Sequence, residues 1–355
     1  MKIFYAVQAT GNGHIARAIE LMPYLQQYGE VDIFLSGSNS SLDTSQKLPV
    51  KYRSKGVSLF YSNKGGLDYW KMLKHFSPLK VFKEAKDLPV EKYDIVINDF
   101  ESITSHACRM KNIPSVNFGH QASFMSDKVP RPKKKNFAGE LILKKYAPAR
   151  SYIGLHFEQY DDFILSPVIK NKILSARPAD KGHVTVYLPH YSDLQLAKKL
   201  KNLKDIEFEV FSKRVKQKEV NKNITFLPID NNGFNESMIH SKGIITGAGF
   251  ETPAEALYLG KKLMVLPIKG QYEQLCNAEA LKNFNVPVLE EMDALFSNSV
   301  KQWLDSEQKK LTLQYSTESI VSKVIYTARG LREDRSNQLS TYLDIHPSLS
   351  RLLLD

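Results

Sequence analysis

The chain is 355 residues long, 42% hydrophobic and 25% charged, a globular composition that outgrows one ordinary core and suits two domains. A formal net charge of +11 requires an anionic partner or a solvated basic face. The two cysteines, Cys108 and Cys276, lie far apart in sequence, which argues against a disulfide framework or thiolate metal site and points to a reducing cytoplasm.

Lys2 to Val7 is an apolar run, too short for a signal-peptide core, that reads as a first strand breaking at Thr10-Gly11-Asn12-Gly13. Further strands are expected at Val31 to Leu35, Val57 to Tyr61, Ile95 to Asn98 and Ser115 to Phe118, separated by helical or mixed stretches, the alternation of a parallel sheet. Leu165 to Gly182, with Pro167, Pro178 and scattered basic residues, is expected to connect two domains. A second alternation follows at Val184 to Leu188, Phe208 to Phe211, Ile224 to Leu227, Gly243 to Thr246, Leu263 to Leu266 and Pro287 to Leu289, before a helical stretch from Glu318 to Leu354. No apolar run is long enough to cross a bilayer, so any membrane contact is expected to be peripheral. The expected class is α/β, with two Rossmann-like domains facing across a cleft: residues 1–165, a linker 166–182, a second domain 183–330 and a helical segment 331–355.

Polar side chains gather where the N-terminal strands end. His14 follows the glycine turn after the first strand and opens a helix, where its imidazole would face a cleft and accept a proton near neutral pH; capping or packing the helix is the competing role. Asn98-Asp99-Phe100-Glu101 sets two carboxylates after another strand, and Phe118-Gly119-His120-Gln121 ends the next one the same way. Asp99 serves either catalysis or the cap of the next helix, and Glu101 falls in a first turn that favours negative charge. The expectation is His14 as base, with Glu101 or His120 orienting it or the acceptor.

The strongest motif lies in the second half. Thr246-Gly247-Ala248-Gly249-Phe250-Glu251-Thr252-Pro253-Ala254-Glu255 is a strand end, a glycine turn and a helix start with Pro253 in its first turn. Unpaired N–H groups and the helix dipole suit such a junction to a diphosphate, and Glu255, one turn in, is placed to accept from a ribose diol; packing of helix on strand is the bland alternative for the two glycines. The loop after the next strand carries Gln271, Glu273, Gln274 and Asn277, at the sheet edge where α/β proteins bind ligands.

With these residues, Ile224 to Leu289 resembles the donor half of GT-B glycosyltransferases, especially those similar to the N-acetylglucosamine transferase of peptidoglycan lipid-intermediate synthesis. The resemblance implies that Gly247, Ala248 and Gly249, with Phe250 beside them, cradle the diphosphate of a nucleotide-sugar, with UDP expected. It further implies that Glu255 holds the ribose, that Gln274 and Glu273 with Gln271 meet the donor sugar, and that Asn277 braces the loop. Phe226-Leu227-Pro228-Ile229 resembles the segment whose backbone reads the base. His190 matches a loop that approaches the diphosphate, where the family is glycine-rich, so it would donate to phosphate or narrow the site. The fold also implies that the C-terminal helix crosses back onto the first domain.

No Asp-x-Asp or convincing ligand spacing occurs, so no metal or separate cofactor is expected. Lys128 to Arg131, Lys133 to Lys135, Lys144-Lys145 and Lys71 to Lys86 interleave basic with apolar residues, which suits an anionic membrane surface or a lipid-linked acceptor, a solvated basic face being the alternative. Nucleic acid is not an expected partner, for want of any compact recognition signature. A sugar-nucleotide epimerase or hydrolase of the same fold, or a non-catalytic nucleotide-sugar binding protein, are the alternatives to transfer.

Overall fold

The computed structural model describes residues 1–9, 12–37, 48–56 and 78–345. Thr10 and Gly11, the expected strand Val57 to Tyr61, the part of the Lys71 to Lys86 patch before residue 78, and the C-terminal stretch from residue 346 lie outside the described residues.

The first sheet has seven strands in the order β3-β2-β1-β4-β5-β6-β7. They are β1 Lys2–Gln8, β2 Glu30–Ser36, β3 Val50–Ser54, β4 Ile95–Asp99, β5 Val116–Gly119, β6 Ser151–Leu155 and β7 Ile164–Leu165. Every pairing is parallel. Strands β1 and β4 are almost wholly buried, as expected where helices cover both faces, and this is why they read as continuous apolar runs.

The second sheet orders six strands β10-β11-β9-β8-β12-β13: β8 His183–Tyr187, β9 Glu207–Ser212, β10 Glu219–Asn221, β11 Ile224–Pro228, β12 Gly243–Thr246 and β13 Lys262–Val265. All but the antiparallel β10–β11 pair are parallel. The fold is thus α/β with two Rossmann-like sheets.

Expected Pro287 to Leu289 contributes only an isolated bridge between Val265 and Val288, since Pro287 has no N–H to extend a ladder. The unanticipated strands β3, β6, β7 and β10 are short, and β3 and β10, at two of the sheet edges, contain no buried residue, so hydrophobic alternation marks them poorly.

The two sheets share buried surface. One apolar cluster contains Ile3 and Ile97 of the first sheet, Phe157 after β6, and Phe250 and Ala254 of the second half; the Phe157 and Phe250 rings lie 5.1 Å apart. The long helix Thr317–Ile345 returns to the first sheet, against the helix Asn12–Leu25 and strands β4 and β5. It buries Ile320, Val321, Val324 and Ile325, and Arg332 pairs with Asp94.

Strand order reverses between β1 and β4 in the first sheet and between β8 and β12 in the second. Chains leaving such neighbouring strands diverge to opposite faces and open a crevice at their carboxyl ends. His14 and Asp99 stand at the first crevice, His190 and the Gly247 turn at the second.

Candidate functional site

Parallel register sets Val7 opposite Asp99, so the helix Asn12–Leu25 that leaves β1 carries its third residue, His14, over the end of β4. His14 Nδ1 lies 2.8 Å from Asp99 Oδ1. With Nδ1 donating to the carboxylate, Nε2 is the ring nitrogen left to accept a proton.

Asp99 is fully buried and has further partners: Arg17 donates from Nη2 at 2.8 Å to Oδ1 and from Nε at 3.1 Å to Oδ2. The Tyr5 hydroxyl adds a longer contact at 3.5 Å. Burial alone would raise the Asp99 pKa, but Arg17 and His14 outweigh it and hold the carboxyl below its ordinary value. Arg17 in turn is kept charged against its burial by Asp99 and by Glu251 of the second half, to which Nη1 donates.

Phe100 at φ 56° turns the chain between the two candidate carboxylates, a left-handed conformation that costs about 1–3 kcal/mol and is held here by burial and a ring contact with Tyr146 at 4.9 Å. The turn sends the two acids in different directions. Glu101 does not orient His14: its carboxylate caps the helix Ser102–Met110, accepting from the Ile103 N–H at 2.9 Å and the Thr104 N–H at 2.6 Å. Burial raises its pKa although these N–H groups oppose the shift. The cap thus falls to Glu101 and the histidine to Asp99.

His120 also has a different place. Its Nδ1 lies 3.0 Å from the Leu155 carbonyl oxygen and its Nε2 2.8 Å from Asn277 Oδ1, and the ring stacks on Phe250 at 3.9 Å. Both nitrogens face protein oxygens and the ring is buried, with burial lowering its pKa, so His120 braces the contact between the two halves rather than orienting His14. Phe250, expected beside the diphosphate, is 4% exposed and spends its side chain on that stack.

Across the cleft, the helix Glu251–Tyr258 begins after the Gly247-Ala248-Gly249 turn without a side-chain cap, which leaves its first N–H groups to a ligand. A methyl at Gly249 would meet nothing within 4 Å. Asn277 ties this turn down, donating to the Ala248 carbonyl at 3.0 Å.

Glu255 is covered, accepting from Lys170 at 3.0 Å, with its pKa raised by burial against the pull of that lysine. Gln274 Oε1 accepts from the Ile268 N–H at 2.9 Å and so braces its own loop. Glu273 accepts from Gln121 at 3.1 Å and remains partly exposed, while Gln271 has a buried Oε1 without a partner. His190 likewise keeps a partnerless buried Nδ1, and burial lowers its pKa to about 4, so the ring is neutral. Ser192 is taken up in a capping box with Gln195. Ile229 is half-buried between β11 and the Asp230 cap of the next helix.

Arg17 and Lys170 were not anticipated from the residues, and Gln121 was named beside His120 without a partner. Arg17 had a signal, since three residues after His14 is the same helix face; Lys170 had none, and the partner of Gln121 had none, because the residues they bond are 85 and 152 positions away.

Among the described residues no group of three or more His, Cys, Asp or Glu is placed to hold a metal ion, and no helix is long and apolar enough to cross a membrane.

The family model described as "Glycosyl transferase family 1" matches residues 1–306. Among solved structures the chain is similar to the glycosyltransferase SnogD from Streptomyces nogalater, with 13% identity over 92% of this chain and 99% of that one and a TM-score of 0.55. It is similar to the spinosyn forosaminyltransferase SpnP, with 16% identity, all of both chains covered and a TM-score of 0.55. A third similarity is to UGT89C1 from Arabidopsis thaliana complexed with UDP, with 12% identity over 96% and 99% of the two chains and a TM-score of 0.54. No curated protein matches the chain by sequence.

Proposed function

We propose that this chain, which belongs to glycosyl transferase family 1, moves a sugar from a nucleotide-sugar, UDP-linked in the first instance, onto an acceptor hydroxyl by a single inverting displacement. The observation that carries it is the 2.8 Å contact of His14 with buried Asp99 at the crevice of the first sheet, facing the uncapped helix of the second. Asp99 holds Nδ1–H, and Nε2 takes the proton of the acceptor hydroxyl as that oxygen bonds to the anomeric carbon. The bond from that carbon to the diphosphate breaks, and the leaving charge settles on the helix N-terminus and the glycine turn.

In this scheme residues 1–165 take the acceptor and 183–330 the donor. Ile229 offers backbone to the base, Glu255 the ribose contact once the cleft opens around it, and His190 a neutral N–H to phosphate. Gln271, Glu273 and Gln274 serve the sugar hydroxyls. No metal is assigned a step, and activity is expected to survive a chelator.

The test is transfer from a panel of nucleotide-sugars by the wild type and His14→Ala. Loss of two orders of magnitude or more, with nucleotide binding retained by thermal shift, is expected. Near-normal turnover in His14→Ala removes the base. Donor breakdown without any acceptor product turns the assignment to an epimerase or hydrolase.

For the acceptor we propose a lipid-linked molecule at an anionic membrane surface. The helix Pro78–Asp87 exposes Leu79 and Phe82 among Lys80, Lys83 and Lys86, and the helix Phe137–Lys145 exposes Phe137 and Leu141 beside Lys144 and Lys145. Cosedimentation with anionic but not neutral vesicles is expected; equal negligible binding to both would return these patches to solvated surface.

A further inference from the structure

We propose that Arg17 is a positioning residue that ties closure of the cleft to the alignment of the His14–Asp99 pair, through Glu251 on the donor-side helix. This rests on His14 acting as the base.

Arg17 is 2% exposed and divides its donors between the two halves of the molecule. Nε and Nη2 hold both oxygens of Asp99, while Nη1 reaches Glu251, 234 residues away. The charged and titratable groups that face it are His14, Asp99, Tyr5 and Glu251.

Space is kept for this bridge by two glycines. A Cβ on Gly119 would lie 2.7 Å from Asp99 Oδ1 and 3.1 Å from Arg17 Nη2, and one on Gly13 would lie 2.6 Å from the Glu251 carboxylate. Glu251 stands in the first turn of its helix, where a carboxylate is favoured by its own helix dipole, yet it reaches across the cleft instead. Other cross-cleft bonds, such as His120 to Asn277, Gln121 to Glu273, Tyr272 to Glu140 and Asn283 to Glu158, end away from His14.

A guanidinium fixed at three nitrogens holds Asp99 in one orientation. Release of Nη1 on opening frees the arginine to turn, and the carboxylate loses the frame that aims it at Nδ1. Errors of this kind, about 1 Å at a reacting group, cost up to about a hundredfold in rate.

The test uses the full chain with Glu251→Gln, Arg17→Lys and the double variant. Glu251 is about a quarter exposed, so Glu251→Gln is expected to fold. Expected is a fall in kcat of about tenfold or more, with the donor KM within about twofold. The double variant should be no worse than the poorer single one, because both break one bridge. Small-angle scattering without nucleotide should give a larger radius of gyration for Glu251→Gln than for wild type. Unchanged kcat, additive losses or an unchanged radius would each overturn the proposal. A wild type that neither binds UDP in calorimetry nor transfers sugar would instead sink the function proposed above, and the scattering comparison would still decide the bridge.

Discussion

At the carboxyl edge of the first sheet, Asp99 is held by His14, Arg17 and Tyr5, all within hydrogen-bonding reach and all buried or nearly so. At the facing edge of the second sheet, His190 Nδ1 and Gln271 Oε1 are buried without a partner among the described residues, and the helix Glu251–Tyr258 starts without a side-chain cap. Buried polar groups are normally paired, because leaving one unpaired costs about 1–3 kcal/mol. The Asp99 group is complete by itself, although Gln8 Oε1 and Gln121 Oε1 at the same edge are also buried without a partner; the second edge keeps its polar capacity beside an open helix start, where a ligand would satisfy it. A base has to be aimed before the substrate arrives, whereas a donor site gains affinity from the bonds a ligand completes.

The comparison breaks most decisively at Asp99. Asp99→Asn would favour the wrong histidine tautomer and leave Arg17 short of a counter-charge, and transfer should fall by about two orders of magnitude or more in a turnover assay with nucleotide binding kept. Wild-type rates would mean that the first edge is not the chemical one.

Two glycines sharpen the contrast. Gly119→Ala puts a methyl at φ +137°, 2.7 Å from Asp99 Oδ1, and should lower stability by about 2 kcal/mol or more in urea unfolding. Gly249→Ala, with nothing within 4 Å, should stay within about 0.5 kcal/mol while weakening nucleotide binding, its methyl lying in the proposed phosphate site.

Acid titration gives a smaller effect. Burial lowers the pKa of His120, His156 and His190, so the unfolded chain binds more protons below about 6.5. Their contribution is complete above that pH and is lost as pH falls, for His190 through about 4. Glu101 and Glu255, shifted up by burial, act with the opposite sign: theirs is lost as pH rises. The urea midpoint is expected to drop between pH 7.5 and 5.5, and His190→Gln to flatten that limb. The smallest effect should be His190→Gln on UDP affinity at pH 7.5, a loss of up to about tenfold by calorimetry, one hydrogen bond's worth.

Much of the fold was legible in the residues. Buried parallel strands such as β1, β4 and β12 are apolar along their length, and the glycine turn after β12 is followed by a helix with Pro253 in its first turn; both are short-range signals. The N-terminal cluster was legible as a set, His14 with Asp99, Glu101 and His120, but not in its assignments.

Spacing along a strand end cannot say which of two acids turns inward, and it was the backbone at Phe100 that sent Asp99 to His14 and Glu101 to its own helix. His120 and Phe250 each looked like site residues until the two halves met and stacked their rings. Nothing in the residues linked Arg17 to Glu251, 234 positions away. Sequence by itself determined the buried parallel strands and the glycine turn with its helix start, because these depend on neighbours a few residues apart. Only the tertiary structure decided who pairs with whom across the cleft, because burial makes each charge find its partner in space, whatever the distance along the chain.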